Sequence, residues 1–234
     1  MVNFLPNQTV GAAFLPPAPQ KITKPPAPQK TTKPPAPQKT TKPPAPQKIT
    51  KPPAPQKITK PPAPQIHIRP ATIADAPACA EIHCRGWEAA YADIVPAQAI
   101  AQKNAARPAA WPGYLASGQY AYYVPVLDGK VVGFVSLGQP GANENLPAYY
   151  CEIAAIYLHP SVYRQGIGRQ LMAFAEDRAR EKGKTAMMLW VFEDNAPSRR
   201  FYEACGYRPD SATEEREYGR TLRSLRYVKE LYTA

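Results

Sequence analysis

The chain has 234 residues, among them 30 Pro, 29 Lys or Arg and 18 Asp or Glu, for a formal net charge of +11. Residues 1–65 hold ten lysines and no acid, which leaves 19 basic against 18 acidic residues in 66–234 and argues against a basic nucleic-acid-binding face there. No run of 18 apolar residues offers a membrane span, and four cysteines without a CxxC pair, beside three histidines, indicate neither a zinc site nor a disulfide framework.

The N-terminal part is expected to be a leader, 1–65. Met1 to Leu15 has neither a basic start nor a sustained apolar stretch, so a secretory signal is not expected and a cytoplasmic setting is the default. From Pro16 the sequence repeats every nine residues as Pro-Pro-Ala-Pro-Gln-Lys-(Ile/Thr)-Thr-Lys, five full copies to Lys60 and a sixth that stops at Gln65. Three prolines per period forbid helix and starve a sheet of donors, and little apolar surface offsets the entropy of ordering. The expected state is disordered with polyproline II character, about 3.1 Å per residue when extended. A charged tether is the simplest role. Pro25-x-x-Pro28-x-Lys30 and its copies also fit the PxxPxK pattern, so a polyproline-binding partner stays open, as does salt-sensitive binding of nucleic acid by the leader alone.

The remaining residues, 66–234, suffice for one domain with its own core. Ile66 to Arg69 alternates as a short strand closed by Pro70. Thr72 or Asp75 is placed to cap a helix whose apolar positions run through Ala80, Ile82 and Trp87 towards Tyr91. Ile94-Val95-Pro96 breaks it, and Ala97 to Ala106 reads as a second, weaker helix that ends before Trp111-Pro112-Gly113. Tyr120–Leu127 and Lys130–Leu137, joined by Asp128-Gly129, predict a hairpin. Tyr149–Leu158 predicts a strand, followed by a glycine-containing turn and a helix over Gly168–Glu181 with Leu171, Phe174, Ala175 and Arg178 inward. Ala186–Phe192 reads as a strand covered on both faces. Asn195 caps a short helix with Pro197 in its first turn and Gly206 as the stop. Tyr207 and Arg226–Leu231 offer two last strands.

The segment Ile156-Tyr-Leu-His-Pro160, then Arg164-Gln-Gly166-Ile-Gly168-Arg169, carries chemistry. A strand delivers the chain to a turn whose glycines admit a ligand close to the backbone, and a helix starts at once. Its unpaired N–H groups and dipole suit a phosphate or pyrophosphate. A Rossmann turn is the rival, with Glu193 standing where a ribose-binding acid would be. Leu171 replaces the third glycine, however, and only one crossover unit is present. A P-loop is excluded because no Gly-Lys-Ser/Thr follows.

These residues, together with Asn195-x-x-Ser198-Arg-Arg-Phe-Tyr202-Glu-x-x-Gly206-Tyr207, resemble the GCN5-related N-acetyltransferases (GNAT) over residues 66 to 231. The resemblance implies an α/β (α+β) fold, a mixed, mostly antiparallel twisted sheet flanked by helices. It implies acetyl-CoA as cosubstrate, no metal, and a primary amine on a small molecule or peptide as acceptor, with direct attack in a ternary complex. The family turn pattern, (Gln/Arg)-x-x-Gly-x-(Gly/Ala), starts here on Tyr163, with Arg164 one residue later.

By the same resemblance, the N–H groups of Arg164, Gln165, Gly166, Ile167, Gly168 and Arg169 hold the pyrophosphate. Ile156 and Leu158 border the pantetheine arm, and Asn195 touches it. Glu152 is the candidate base and Tyr202 the candidate acid; the plain alternatives are an exposed strand residue or salt-bridge partner for Glu152 and an aromatic packing beside Phe201 for Tyr202. Trp87 and Tyr91 fall in the segment that forms part of the acceptor pocket, with core packing as the alternative, above all for Trp87. Cys151, Cys205, His83 and His159 read as structural. A second reading, a catalytically silent acyl-CoA-binding or scaffold protein that uses the leader for interaction, stays open, as does a homodimer.

Overall fold

The computed structural model describes residues 64–231, so the repeats and the extended state expected for them lie outside the described residues. Apolar alternation and turn chemistry produce β1 (His67–Pro70), β2 (Ala121–Leu127), β3 (Lys130–Val131), β4 (Gly133–Gly138), β5 (Tyr150–Leu158), β6 (Ala186–Phe192), β7 (Arg208–Glu217) and β8 (Thr221–Glu230). The helices are α1 (Ala76–Tyr91), α2 (Ala97–Ala116), α3 (Ile167–Glu181) and α4 (Ala196–Ala204). The sheet order is β1-β2-β4-β5-β6-β8-β7, with β3 paired to β2. Among the described residues only β5 and β6 run parallel. The expected mixed, mostly antiparallel sheet is therefore present.

The Asp128-Gly129 hairpin forms as expected, with φ of 49° and 75° at its two central residues, the left-handed pair that matches strand twist. Its second arm is interrupted at Val132, which splits it into β3 and β4. Asp75 organises the start of α1. Its carboxylate accepts two hydrogen bonds from Arg69 at 2.8 Å and one from the Thr72 N–H at 2.7 Å, which holds it well below the usual carboxylate range.

Two expectations need correction. The second helix does not end at Ala106; α2 continues to Ala116 with Pro108 and Pro112 inside it. Pro108 cannot donate to the Asn104 carbonyl, and the Cys84 thiol on α1 donates to that carbonyl instead (3.6 Å). Burial of Ile100, Arg107 and Trp111 then holds the irregular helix against α1. At the C-terminus the two short strands expected at Tyr207 and Arg226–Leu231 are a single long hairpin, β7–β8, turning at Tyr218-Gly219-Arg220. On α3, Leu171 and Ala175 are buried as expected, Phe174 and Arg178 are only partly so, and Glu176 is buried against Lys229 (2.7 Å).

The sheet has a core on each face. One contains Ile153, Ile156, Leu158, Ile167, Leu171 and Tyr202 under α3 and α4. The other contains Trp87, Tyr91, Trp111, Phe134, Tyr157 and Tyr218 under α1 and α2. On that second face α1 lies flush on β5, since a Cβ at Gly86 would stand 2.7 Å from Tyr157 Cδ1. Among the described residues no helix is long and apolar enough to cross a membrane.

Candidate active site

The site begins where two strands stop pairing. β5 and β6 pair only over Tyr150–Glu152 against Ala186–Met188. Beyond that, β5 continues to Leu158 paired with β4, and β6 continues to Phe192 paired with β8. Opposite the departure, Ser136 faces Ala155 while Leu137 faces Ile153, so Ala154 is an extra residue, a β-bulge. Bulges bend and twist a strand, which accounts for the opening. The His159 N–H donates to the Val132 carbonyl at 2.8 Å, on the β4 side. By strand alternation the N–H groups of Leu158 and Ile156 point into the gap.

The chain then tightens. Pro160–Val162 forms one 3-10 turn, capped by His159, whose Nδ1 accepts from the Ser161 N–H at 3.3 Å. Tyr163 is extended, Arg164 has φ 64° and Gly166 has φ 86°, and α3 starts at Ile167. Alternating hand in this way turns successive N–H groups to one side, and the first turn of α3 adds N–H groups with no partner inside the helix. No acidic residue lies in that turn. Arg164 and Arg169 are both exposed beside it. The backbone from Arg164 to Arg169 is therefore a run of N–H donors at a helix N-terminus, of the kind that suits an anion, and it follows directly on β5. A nucleotide with an extended arm fits this pair of features.

Asn195 supports the fit. It is fully buried, its Oδ1 caps α4 by accepting from the Ser198 N–H at 3.2 Å, and its Nδ2 has no hydrogen-bond partner among the described residues. A buried amide donor without a partner is costly unless a ligand completes it.

Glu152 is the last paired residue of β5. It is 3% exposed and faces the α1–α2 side, opposite Cys151 and Ile153. Burial first, then the Glu144 and Glu214 carboxylates, raise its pKa to about 8. Nearby cations are committed elsewhere. Arg216 makes a two-pronged pair with Glu214 (2.7 and 3.0 Å), and Arg226 pairs with Asp210 (2.8 Å) and Glu144 (3.3 Å). Glu152 itself forms no ion pair or side-chain hydrogen bond among the described residues. These surrounding groups escape a linear reading, because Glu144 sits in the 139–149 loop and Glu214 and Arg216 on β7.

Tyr202 of α4 is fully buried under the opposite face, 6.3 Å from the Tyr207 ring and 6.4 Å from that of Tyr227, with Ile156 and Leu158 in the same core. Trp87 and Tyr91 are buried in the α1–α2 core, their rings edge to face at 5.1 Å. The Tyr91 hydroxyl lies 3.4 Å from that of Tyr157 on β5. The structure therefore puts Glu152, Tyr91 and Tyr157 on one face of the sheet and Tyr202 under the other. Cys151 is buried and Cys205 partly so, and burial pushes both thiols up, away from nucleophilic thiolate. His83 is buried among aromatic rings and His159 serves as a cap. No group of three His, Cys, Asp or Glu residues among those described could hold a metal ion.

The acetyltransferase (GNAT) family model matches residues 81–207. An N-acetyltransferase of Bacillus subtilis, YuaI, is 30% identical over 151 residues, which cover 64% of this chain and 83% of the relative. An N-acetyltransferase encoded in the pepI 3' region of Lactobacillus delbrueckii subsp. lactis is 38% identical over 90 residues, covering 38% of this chain; the match spans 51% of that relative's length. Among solved structures, the PaiA N-acetyltransferase of Thermoplasma acidophilum in complex with coenzyme A shares the fold at TM-score 0.59 and 20% identity, covering 71% of this chain and 99% of that one. A parallel pair that opens at a bulge, a glycine-containing turn ahead of α3 and a family match spanning both make this chain a member of the acetyltransferase (GNAT) family.

Proposed function

We propose that the chain transfers an acetyl group from acetyl-CoA to a primary amine by direct attack within a ternary complex. The observation that carries this reading is the opening between β5 and β6, with N–H groups directed into it and an anion site at its end. Acetyl-CoA supplies the activated thioester; the chain supplies binding, orientation and proton handling. Gln165 to Arg169 offer backbone N–H groups to the pyrophosphate. Ile156 and Leu158 hold the arm as a strand would, and an N–H there polarises the thioester carbonyl. The unused Nδ2 of Asn195 is a donor for the same arm.

The amine attacks only when unprotonated. Glu152, with a pKa of about 8 and no cation of its own, is suited to take a proton near neutral pH, directly or through water. The N–C bond forms, the C–S bond breaks, and the departing thiolate takes a proton or hydrogen bond from the Tyr202 hydroxyl. The test is CoA release by the purified chain with acetyl-CoA and a panel of primary amines. Amine-dependent release is expected, falling about tenfold or more in Tyr202→Phe. Acetyl-CoA binding with no release for any amine would remove the transferase reading.

A further inference from the structure

α2 carries a buried cation that the fold does not neutralise. Arg107 is 3% exposed, with its guanidinium over the Trp87 ring, 4.2 Å from the centroid. Its Nη1 donates to Asn104 Oδ1, and Asn104 Nδ2 donates to Glu88 Oε1 at 3.0 Å, so the Glu88 carboxylate is reached only through an amide. Arg107 forms no ion pair among the described residues, and its Nε has no hydrogen-bond partner there. Burial lowers its pKa without removing the proton from a group that stays charged in proteins. A permanent charge held away from water without a counter-ion is costly, and a ligand anion is one way to relieve it.

Arg107 also lines a hollow of about 380 Å³ between α2 and the β7–β8 turn, with Lys103, Tyr114, Glu217, Tyr218 and Gly219. Two cations face one acid, and Lys103 Nζ already leans over the Tyr218 ring at 5.6 Å. The size suits a small amine. One run of contacts among buried side chains lies between the hollow and β5. Arg107 stacks on Trp87, Trp87 meets Tyr91, and the Tyr91 hydroxyl reaches Tyr157, the β5 residue between Ile156 and Leu158.

We infer that Arg107 anchors a carboxylate of the acceptor, and that the acceptor is an amine bearing a carboxylate, an amino acid or close analogue. This rests on the acetyl-transfer reading above and narrows it. Polyamines and aminoglycosides, which are polycations, are disfavoured by the same charge. A guanidinium gripping a carboxylate with two parallel hydrogen bonds separates an acid from its amide by far more than size does.

The experiment uses the full chain with saturating acetyl-CoA and standard L-amino acids, each paired with its carboxamide. For the best pair, kcat/KM is expected to favour the acid by about tenfold or more in the wild type. That ratio should fall to within about threefold of unity in Arg107→Met and lie between the two in Arg107→Lys. An unchanged ratio in Arg107→Met, or equal use of acid and amide by the wild type, overturns the inference. Should Arg107→Met fail to fold, calorimetric titration of the CoA-bound wild type with each acid and amide decides alone, and equal binding overturns it. The two proposals fail separately. Efficient transfer to carboxyl-free amines removes the anchor and keeps the transferase; acid-selective binding with no CoA release keeps the anchor and removes the transferase.

Discussion

Two parts of the candidate site beside the β5–β6 gap are made differently. At the end of β5 the site is backbone: N–H groups of Ile156 and Leu158, then a turn with φ of 64° at Arg164 and 86° at Gly166 leading into α3. On the α1–α2 side it is side chains: Glu152 under three-way influence from Glu144, Glu214 and Arg216, the Tyr91–Tyr157 contact, and Arg107 over Trp87. A backbone site depends on conformation and tolerates change in the side chains around it. A side-chain site depends on residues brought together from distant elements, so single polar substitutions should alter its chemistry outright.

The largest expected effect lies on the side-chain flank. Glu152→Gln should lower kcat by about 10²–10³-fold. With an amine whose own pKa lies above about 10, the wild-type kcat/KM should rise as pH climbs through about 8 and then level, because the base must be ionised. The variant should lose that rise. Misfolding is separated by melting curves. A carboxyl whose folded pKa is raised favours the fold fully below its ordinary value of 4.5 and loses that contribution as pH rises through about 8. Glu152→Gln should therefore gain Tm relative to wild type at about pH 9. An unaltered pH–rate profile would place the base elsewhere.

The backbone flank is tested by contrast within one turn. Gly166→Val forces a β-branched residue to φ 86° and should raise the KM for acetyl-CoA by roughly 10- to 100-fold. Arg169→Ala removes an exposed charge beside the same turn and should raise it only about threefold. Equal effects would mean that side-chain charge, not backbone shape, holds the pyrophosphate.

The smallest effect concerns the attachment of α1. Asp75→Asn gives up the two-pronged Arg69 pair and should cost about 1–3 kcal/mol of stability near neutral pH. Arg69, with help from the Thr72 N–H, depresses the Asp75 pKa, so its contribution is present above 3.8 and is lost as pH falls below that towards its folded value. The difference in Tm between variant and wild type should shrink over that acidic range. A constant difference would show that the loss comes from packing.

The same contrast explains what was legible in the sequence. Glycine spacing, the Asn195 cap and the Asp128-Gly129 turn are local, and each is where the sequence predicts it. The full extent of α2 was hidden because Pro108 and Pro112 read as breakers. The partner that tolerates Pro108 is Cys84, twenty-four residues earlier on another helix. The β7–β8 hairpin was hidden by its polar alternation around Arg208–Glu217, which lacks the apolar run of a buried strand. Arg107 gave no signal at all, since nothing near it in sequence shows that it is buried.

The bulge at Ala154 also sets the parity of β5. In an unbroken strand Glu152 would share a face with Ile156 and Leu158, since all three are even-numbered steps apart. The extra residue resets the count, so that Glu152 falls on the side of Tyr157 while Ile156 and Leu158 face α3. One residue thus divides the strand into two frames, one that carries Glu152 before it and one that carries Ile156 and Leu158 after it. Insertions or deletions of a single residue between Glu152 and Ile156 would exchange their faces, whereas the surface loop at 139–149 has no such phase to keep.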